Sequence, residues 1–116
     1  MLSYSKYIID AHAHIFPDKI AQKATDNIGR FYDLYMNFDG TADSLIKQGD
    51  ECGVSKYVVQ SVATVPHQVK RINDFIVQSV AKYPDKLIGF GSLHPDMKGM
   101  EEEIDRLISM GLHGIK

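Results

Sequence analysis

The chain has no tryptophan, one cysteine and four prolines in 116 residues. A lone thiol, Cys52, excludes an intrachain disulfide and fits a reducing compartment, so the default expectation is a cytoplasmic protein. Glu51 and Gly53 on either side of it mark a helix end, where packing is expected rather than a reactive thiol. No apolar run approaches the roughly 20 residues of a membrane span. The N-terminus lacks the charged head, long apolar stretch and small-residue cleavage site of a secretory leader. An excess of one charge is also missing. Thirteen Lys and Arg stand against 15 Asp and Glu, a net charge of -2, and leave no basic footprint for a nucleic acid. Lysines scattered among acids read as a solvated surface. With 44% hydrophobic and 24% charged residues, the composition is that of a globular domain with one core.

What is present is a strand–helix alternation. Tyr7–His12 is short and β-rich, and reads as a first strand bounded by Pro17-Asp18. A helix is expected from Pro17 to Tyr32, with Pro17 at its first position, then an irregular aromatic loop from Phe31 to Gly40. Thr41 is placed to cap a second helix that runs to Cys52 and stops at Gly53, with Ala42, Leu45, Ile46 and Cys52 as its buried stripe. Lys56–Ala63 is a strand by its β-branched content. From Pro66 to Tyr83, Val69, Ile72, Ile76, Val80 and Tyr83 fall at helical spacing, and Pro84-Asp85 ends that helix. Leu87–Leu93 is a third strand. Asp96 is read as the cap of the last helix, with Glu101, Glu102 and Glu103 in its first turn where the dipole favours acids. Met100, Ile104, Leu107 and Ile108 form its apolar face and Gly111 closes it. His113–Lys116 begins a fourth strand.

Gly53-Val54 and Gly111-Leu112 echo each other, both leading from a helix into a strand. The later strands are about thirty residues apart, the length of one β-α unit. Alternation of this kind predicts an α/β fold with a parallel sheet covered by helices. A closed eight-stranded β/α barrel needs roughly 250 residues, so four strands are about half of one. A half-barrel leaves two unpaired edges and an open inner face. The expectation is therefore residues 1–116 as the N-terminal half of a TIM-type barrel, without a second domain, completed by a missing C-terminal half or by self-association.

His12 and His14 are two apart on a strand, so their side chains leave the same face. Two imidazoles held side by side by a strand make half of a zinc-type site, which takes neutral nitrogen ligands at about 2.0–2.1 Å. Asp10 shares their parity and would lie one layer deeper, to orient an imidazole or to meet the metal. The opposite parity gives Ile9, Ala11, Ala13 and Ile15, suited to the side under helices. A bare His-x-His also occurs on exposed strands. The acid, the parity and the place at the C-terminal end of a first strand, where barrels keep their chemistry, separate this pair from that case.

Asp10-x-His12-x-His14, Gly53-Val54, Leu93-His94-Pro95 and Gly111–Lys116 together resemble the amidohydrolase-2 branch of the amidohydrolase superfamily. That branch includes aminocarboxymuconate-semialdehyde decarboxylase and related decarboxylases and hydrolases. The likeness runs through essentially the whole chain, and its first motif is the specific one. It implies His12 and His14 as the first two metal ligands, with zinc the usual ion. It also implies a histidine after strand five, a catalytic histidine after strand six and an aspartate after strand eight, positions this chain does not contain. The activity implied is hydrolysis or decarboxylation of a small carboxylic acid, lactone, ester or amide, with a metal-activated water. His94, Gln60 and Ser61, at the ends of strands three and two, are candidates to face the substrate. His67 is expected to be exposed or capping, and His113 to lie at the far end of its strand. Some two-metal members of the superfamily use a carboxylated lysine on strand four. The resembled branch has one metal, so Lys116 is expected lower in the barrel. The rival reading is a truncated, non-catalytic half-barrel that depends on self-association or another chain. Other His-x-His barrels, such as phosphoesterases, show further early histidines, whereas none follows His14 until His67.

Overall fold

A computed structural model describes residues 7–116; residues 1–6, which carry part of the leader reading, lie outside it. In chain order the elements are β1 (Ile8–His14), α1 (Asp18–Tyr32), α2 (Ala42–Glu51), β2 (Val54–Gln60), a 3-10 turn (Pro66–Gln68), α3 (Val69–Lys82), β3 (Leu87–Gly91), α4 (Met100–Ser109) and β4 (Gly114–Ile115). Every strand pairs parallel with its neighbour in the order β1-β2-β3-β4. Sequential, singly wound order belongs to β/α barrels, whereas doubly wound sheets reverse at a switch point. The four strands form a curled half-barrel. No described helix is long and apolar enough to cross a membrane.

The core lies between the outer face of the sheet and its helices, built from Ala13, Ile15, Tyr57, Val59, Ile76, Leu87, Leu107 and Leu112. Each fully buried large side chain of this kind contributes about 1.5–3 kcal/mol relative to exposure. Tyr57 is the largest, and its hydroxyl donates to the Ile46 carbonyl at 3.4 Å. Gly49 makes this approach possible, because a Cβ there would overlap the phenol. The two echoing turns rest on Gly53 and Gly111 at φ of 80° and 84°, a left-handed conformation that glycine adopts without strain. Thr41 caps α2 by accepting from the Ser44 amide at 3.2 Å.

Several expected boundaries shift, each for a local reason. Pro17 is the cap of α1 rather than its first residue. β2 ends at Gln60 and β3 at Gly91, so Ser61–Ala63 and Ser92–Leu93 leave the sheet as mouth loops. The third helix starts as a 3-10 turn at Pro66 and becomes α-helical only at Val69. Asp96 does not cap α4: Gly99 holds that position at φ 71°, while Asp96 sits in a turn closed by the Met97 amide on the His94 carbonyl. Cys52 is exposed and free, which removes both its packing role and its place in the α2 stripe. Ile108 is 66% exposed on α4, and the row that packs is Glu103 with Leu107. On α3 the buried row is Val69, Asn73, Ile76 and Ser79, with Ile72 at its margin.

Candidate metal centre

β1 is an edge strand with two irregularities in its pairing. Asp10 aligns with Tyr57 and Ala13 with Val59, so β1 carries one more residue than β2 between these points. The extra residue is a bulge at Ala11-His12. Where the ladder is interrupted, the His12 amide donates instead to Asp10 Oδ1 at 3.1 Å. Asp10 thus fixes the backbone of the bulge and aligns with Tyr57, a core residue, deeper in the sheet than His14, which aligns with Gln60. The same interruption exposes Ile9 and Ala11, which the strict alternation placed under helices. Ala13 and Ile15, beyond the bulge, are buried as expected.

His12 and His14 come together. Their Nε2 atoms are 3.0 Å apart, close enough for one ring to donate to the other. Two nitrogens at about 2.0–2.1 Å from one ion lie about 2.9 Å apart at a right angle and about 3.4 Å apart at the tetrahedral angle. The observed separation falls in that interval, so the pair fits a shared cation. Among the described residues no cluster of three or more His, Cys, Asp or Glu forms around it. Half-burial, chiefly, holds the His14 imidazole below its ordinary pKa, assisted by the charges of Lys116 and His12. A neutral imidazole is the form that binds a metal.

The register places the other candidates. His14 aligns with Gln60, which is buried beside it. Carrying the β2–β3 register one residue further brings Phe90 into this row, and Phe90 aligns with Gly114. Lys116 is two residues past Gly114, toward the mouth, and its amide donates to the Gly91 carbonyl at 2.8 Å. It therefore lies above the His14 row rather than lower in the barrel, consistent with its charge acting on His14. Ser61 is buried in the loop after β2, where its carbonyl accepts from the Ser92 hydroxyl at 2.5 Å. His94 follows β3 with Nδ1 accepting from the Asp96 amide at 3.1 Å, which leaves the proton of the neutral ring on Nε2. His67 is exposed in the 3-10 turn, and His113 is exposed before β4.

Two features escape the sequence reading. The first is a cleft of about 410 Å³ that His14 lines together with Phe16, Tyr35, Met36 and Phe38. These last three come from the irregular segment between α1 and α2, whose aromatic content was the available signal. The second is a buried polar network that locks the strand ends. Asn73 Nδ2 donates to the Ser92 carbonyl at 3.0 Å and to Glu103 Oε1 at 2.9 Å, while its Oδ1 accepts from the Ser92 amide at 2.8 Å. Arg106 donates to both Glu103 oxygens, at 2.9 and 2.8 Å, and to Asp74 at 2.6 Å. Hydrogen bonding from Arg106, and then from Asn73, holds the Glu103 carboxyl below its usual range against the opposing effect of burial.

No family model and no curated protein matches the chain. Solved structures do match its fold. A 5-carboxyvanillate decarboxylase from Novosphingobium aromaticivorans, solved with bound manganese, superposes with a TM-score of 0.72 at 18% identity, over 97% of this chain and 42% of that one. A 2,6-dihydroxybenzoate decarboxylase from Rhizobium gives 0.65 at 20% identity, over 95% and 38%. A 4-oxalomesaconate hydratase from Rhodopseudomonas palustris gives 0.63 at 20%, over 93% and 40%. The chain spans about two fifths of the length of these proteins. Likeness at this identity establishes the fold: the half-barrel expected from the strand count is the architecture with which their barrels begin.

Proposed function

We propose that the chain provides the first two metal ligands, His12 and His14, of an amidohydrolase-type enzyme that decarboxylates or hydrolyses a small organic acid or its derivative. The observation that carries this reading is the 3.0 Å separation of the two Nε2 atoms at the C-terminal end of the first strand. Bound there, a divalent cation supplies Lewis acidity and lowers the pKa of a water molecule toward neutrality. Zinc is the expectation from the motif; the manganese of the 5-carboxyvanillate decarboxylase makes that ion the alternative. His12 and His14 would hold the ion through Nε2, and burial, by lowering the His14 pKa, favours the uncharged form that binding needs. Asp10 holds the bulge that carries His12. Phe16, Tyr35 and Phe38 wall a cleft next to His14 that suits a flat, unsaturated body, in line with the aromatic acids named for two of the structural neighbours. His94 would donate from Nε2 to an oxygen of such a substrate, and Gln60 and Ser61 border the same mouth. The remaining ligands and the proton-handling group come from outside the described residues.

The test is metal content after exposure to zinc or manganese and removal of free ion. The complete protein, with the remaining ligands present, should retain divalent metal, and the double variant His12→Ala/His14→Ala should fall to background with its circular dichroism unchanged. Stoichiometric metal in that variant would sink the assignment. A second reading, a non-catalytic half-barrel that depends on another copy or chain, draws support from exposed Ile8, Ile9 and Ile115 on the two edge strands. Sedimentation with and without metal separates the two: this reading requires association whether or not metal binds.

A further inference from the structure

A second groove, of about 490 Å³, lies between the β1–α1 turn, the loop that leaves β2 and the first turns of α3. Phe16, Ile20, Val62, Ile72 and Phe75 give it apolar walls, of which Ile20 and Val62 are largely open to solvent. Lys19 and Arg71 line it, and no Asp or Glu does. Neither cation is paired with a carboxylate among the described residues. For Arg71 the reason is visible: Asp74, three residues along α3, is taken by Arg106 at 2.6 Å. The uncharged polar residues that line it are Asn27, Ser61, Thr64 and Gln68, and of these Gln68 is left a donor. Gln68 Oε1 already accepts from the Thr64 amide and hydroxyl, both at 3.0 Å, so the side chain has only its N–H groups left to offer. The groove thus combines uncovered apolar surface with two unneutralised cations and a free amide donor. This is complementary to an anion with an apolar body and mismatched to a cation.

We infer that this groove is a binding site for a small amphipathic carboxylate, with its carboxylate on Arg71 and Lys19 and its hydrocarbon or ring against Ile20, Ile72 and Phe75. It shares Phe16 with the cleft at His14 and includes Ser61 of the same mouth, but neither His12 nor His14 lines it, and it requires no metal. The test uses the full chain carrying His12→Ala/His14→Ala, so that binding at the metal centre is not read. Octanoate and benzoate are titrated by amide chemical shifts, with acetate and octanol as probes of charge alone and apolar body alone. At least one of the two acids should produce saturable shifts at Val62, Thr64, Arg71 and Ile72, about tenfold tighter than acetate or octanol. Lys19→Gln/Arg71→Gln, on exposed positions, should weaken it by about tenfold or more, the loss expected when charge-assisted hydrogen bonds are removed. Arg71→Lys should retain most of the affinity. Absence of saturable shifts overturns the proposal. So do shifts confined to other residues, equal binding of acetate, or affinity unchanged in the glutamine double variant.

Discussion

Protonation of His14 is opposed by the fold, because half-burial holds its pKa below the ordinary value of 6.5. Such a group contributes stability that is fully present above the unfolded pKa and is lost as pH falls from there through the folded pKa. Unfolding free energy should therefore decline as pH drops below about 6.5, and His14→Gln should remove that part of the decline. Glu103 acts lower on the scale. Its folded pKa is depressed by Arg106, so its contribution is present above the ordinary carboxylate value and disappears as pH falls through the folded one. Urea titrations at stepped pH should resolve a second loss in the acid range, absent in Glu103→Gln. Asn73→Ala deletes three hydrogen bonds and leaves the Ser92 amide and Glu103 Oε1 each short of a buried partner. A loss of about 2–4 kcal/mol is expected from the urea midpoint. The histidine pair was legible in sequence because strand alternation alone brings residues two apart onto one face. Asn73 was not legible, because a polar residue in an apolar helical row reads as a defect until its partners, 19 and 30 residues away, are known.

At the level of elements, alternation of strands and helices was readable throughout, whereas ends and faces were not. Sequence periodicity marks which positions repeat, but neighbours decide which repeat is covered. Ile108 has the spacing of a core residue, yet α4 docks through Glu103 and Leu107, because Arg106 turns Glu103 inward toward Asn73. The bulge in β1 was equally hidden: it arises from pairing with β2, and nothing in Asp10–His14 alone announces it. Helix α2 has no fully buried residue and sits on the sheet through partly buried Ala42, Leu45 and Ile46, so its position relies on the contact of Gly49 with Tyr57. Gly49→Ala would force the phenol and the helix apart, and a loss of about 1–3 kcal/mol is expected despite the better helix propensity of alanine. A larger melting temperature for that variant would contradict the packing described.

The whole molecule is extended for its length. Its radius of gyration is 15.3 Å, against about 13 Å for a compact domain of this size. An open half-shell accounts for the difference, since one face of the sheet is covered by helices while the strands at both edges lack a partner among the described residues. Hydrogen exchange should follow this layout. Amides of β2 and β3, paired on both sides, should be protected most, and those of the β1 bulge least, with His12 among the fastest. Equal protection across β1 and β2 would mean that the β1 edge is covered in solution.

Singly wound strand order also sets the sequence distances over which the sheet closes. The β3–β4 pair joins Phe90 to Gly114, the β2–β3 pair joins Tyr57 to Leu87, and the β1–β2 pair joins Ile8 to Val54. Those loops are about 24, 30 and 46 residues long, and the logarithmic growth of closure entropy makes the last about 0.6 kcal/mol harder to close than the first. The strand that holds both histidines thus has the longest loop to close and, among the described residues, a partner on one flank only. During assembly it is the element most readily left behind, and during thermal opening the first to peel away. The two imidazoles become neighbours of the Gln60 row only when that docking is complete.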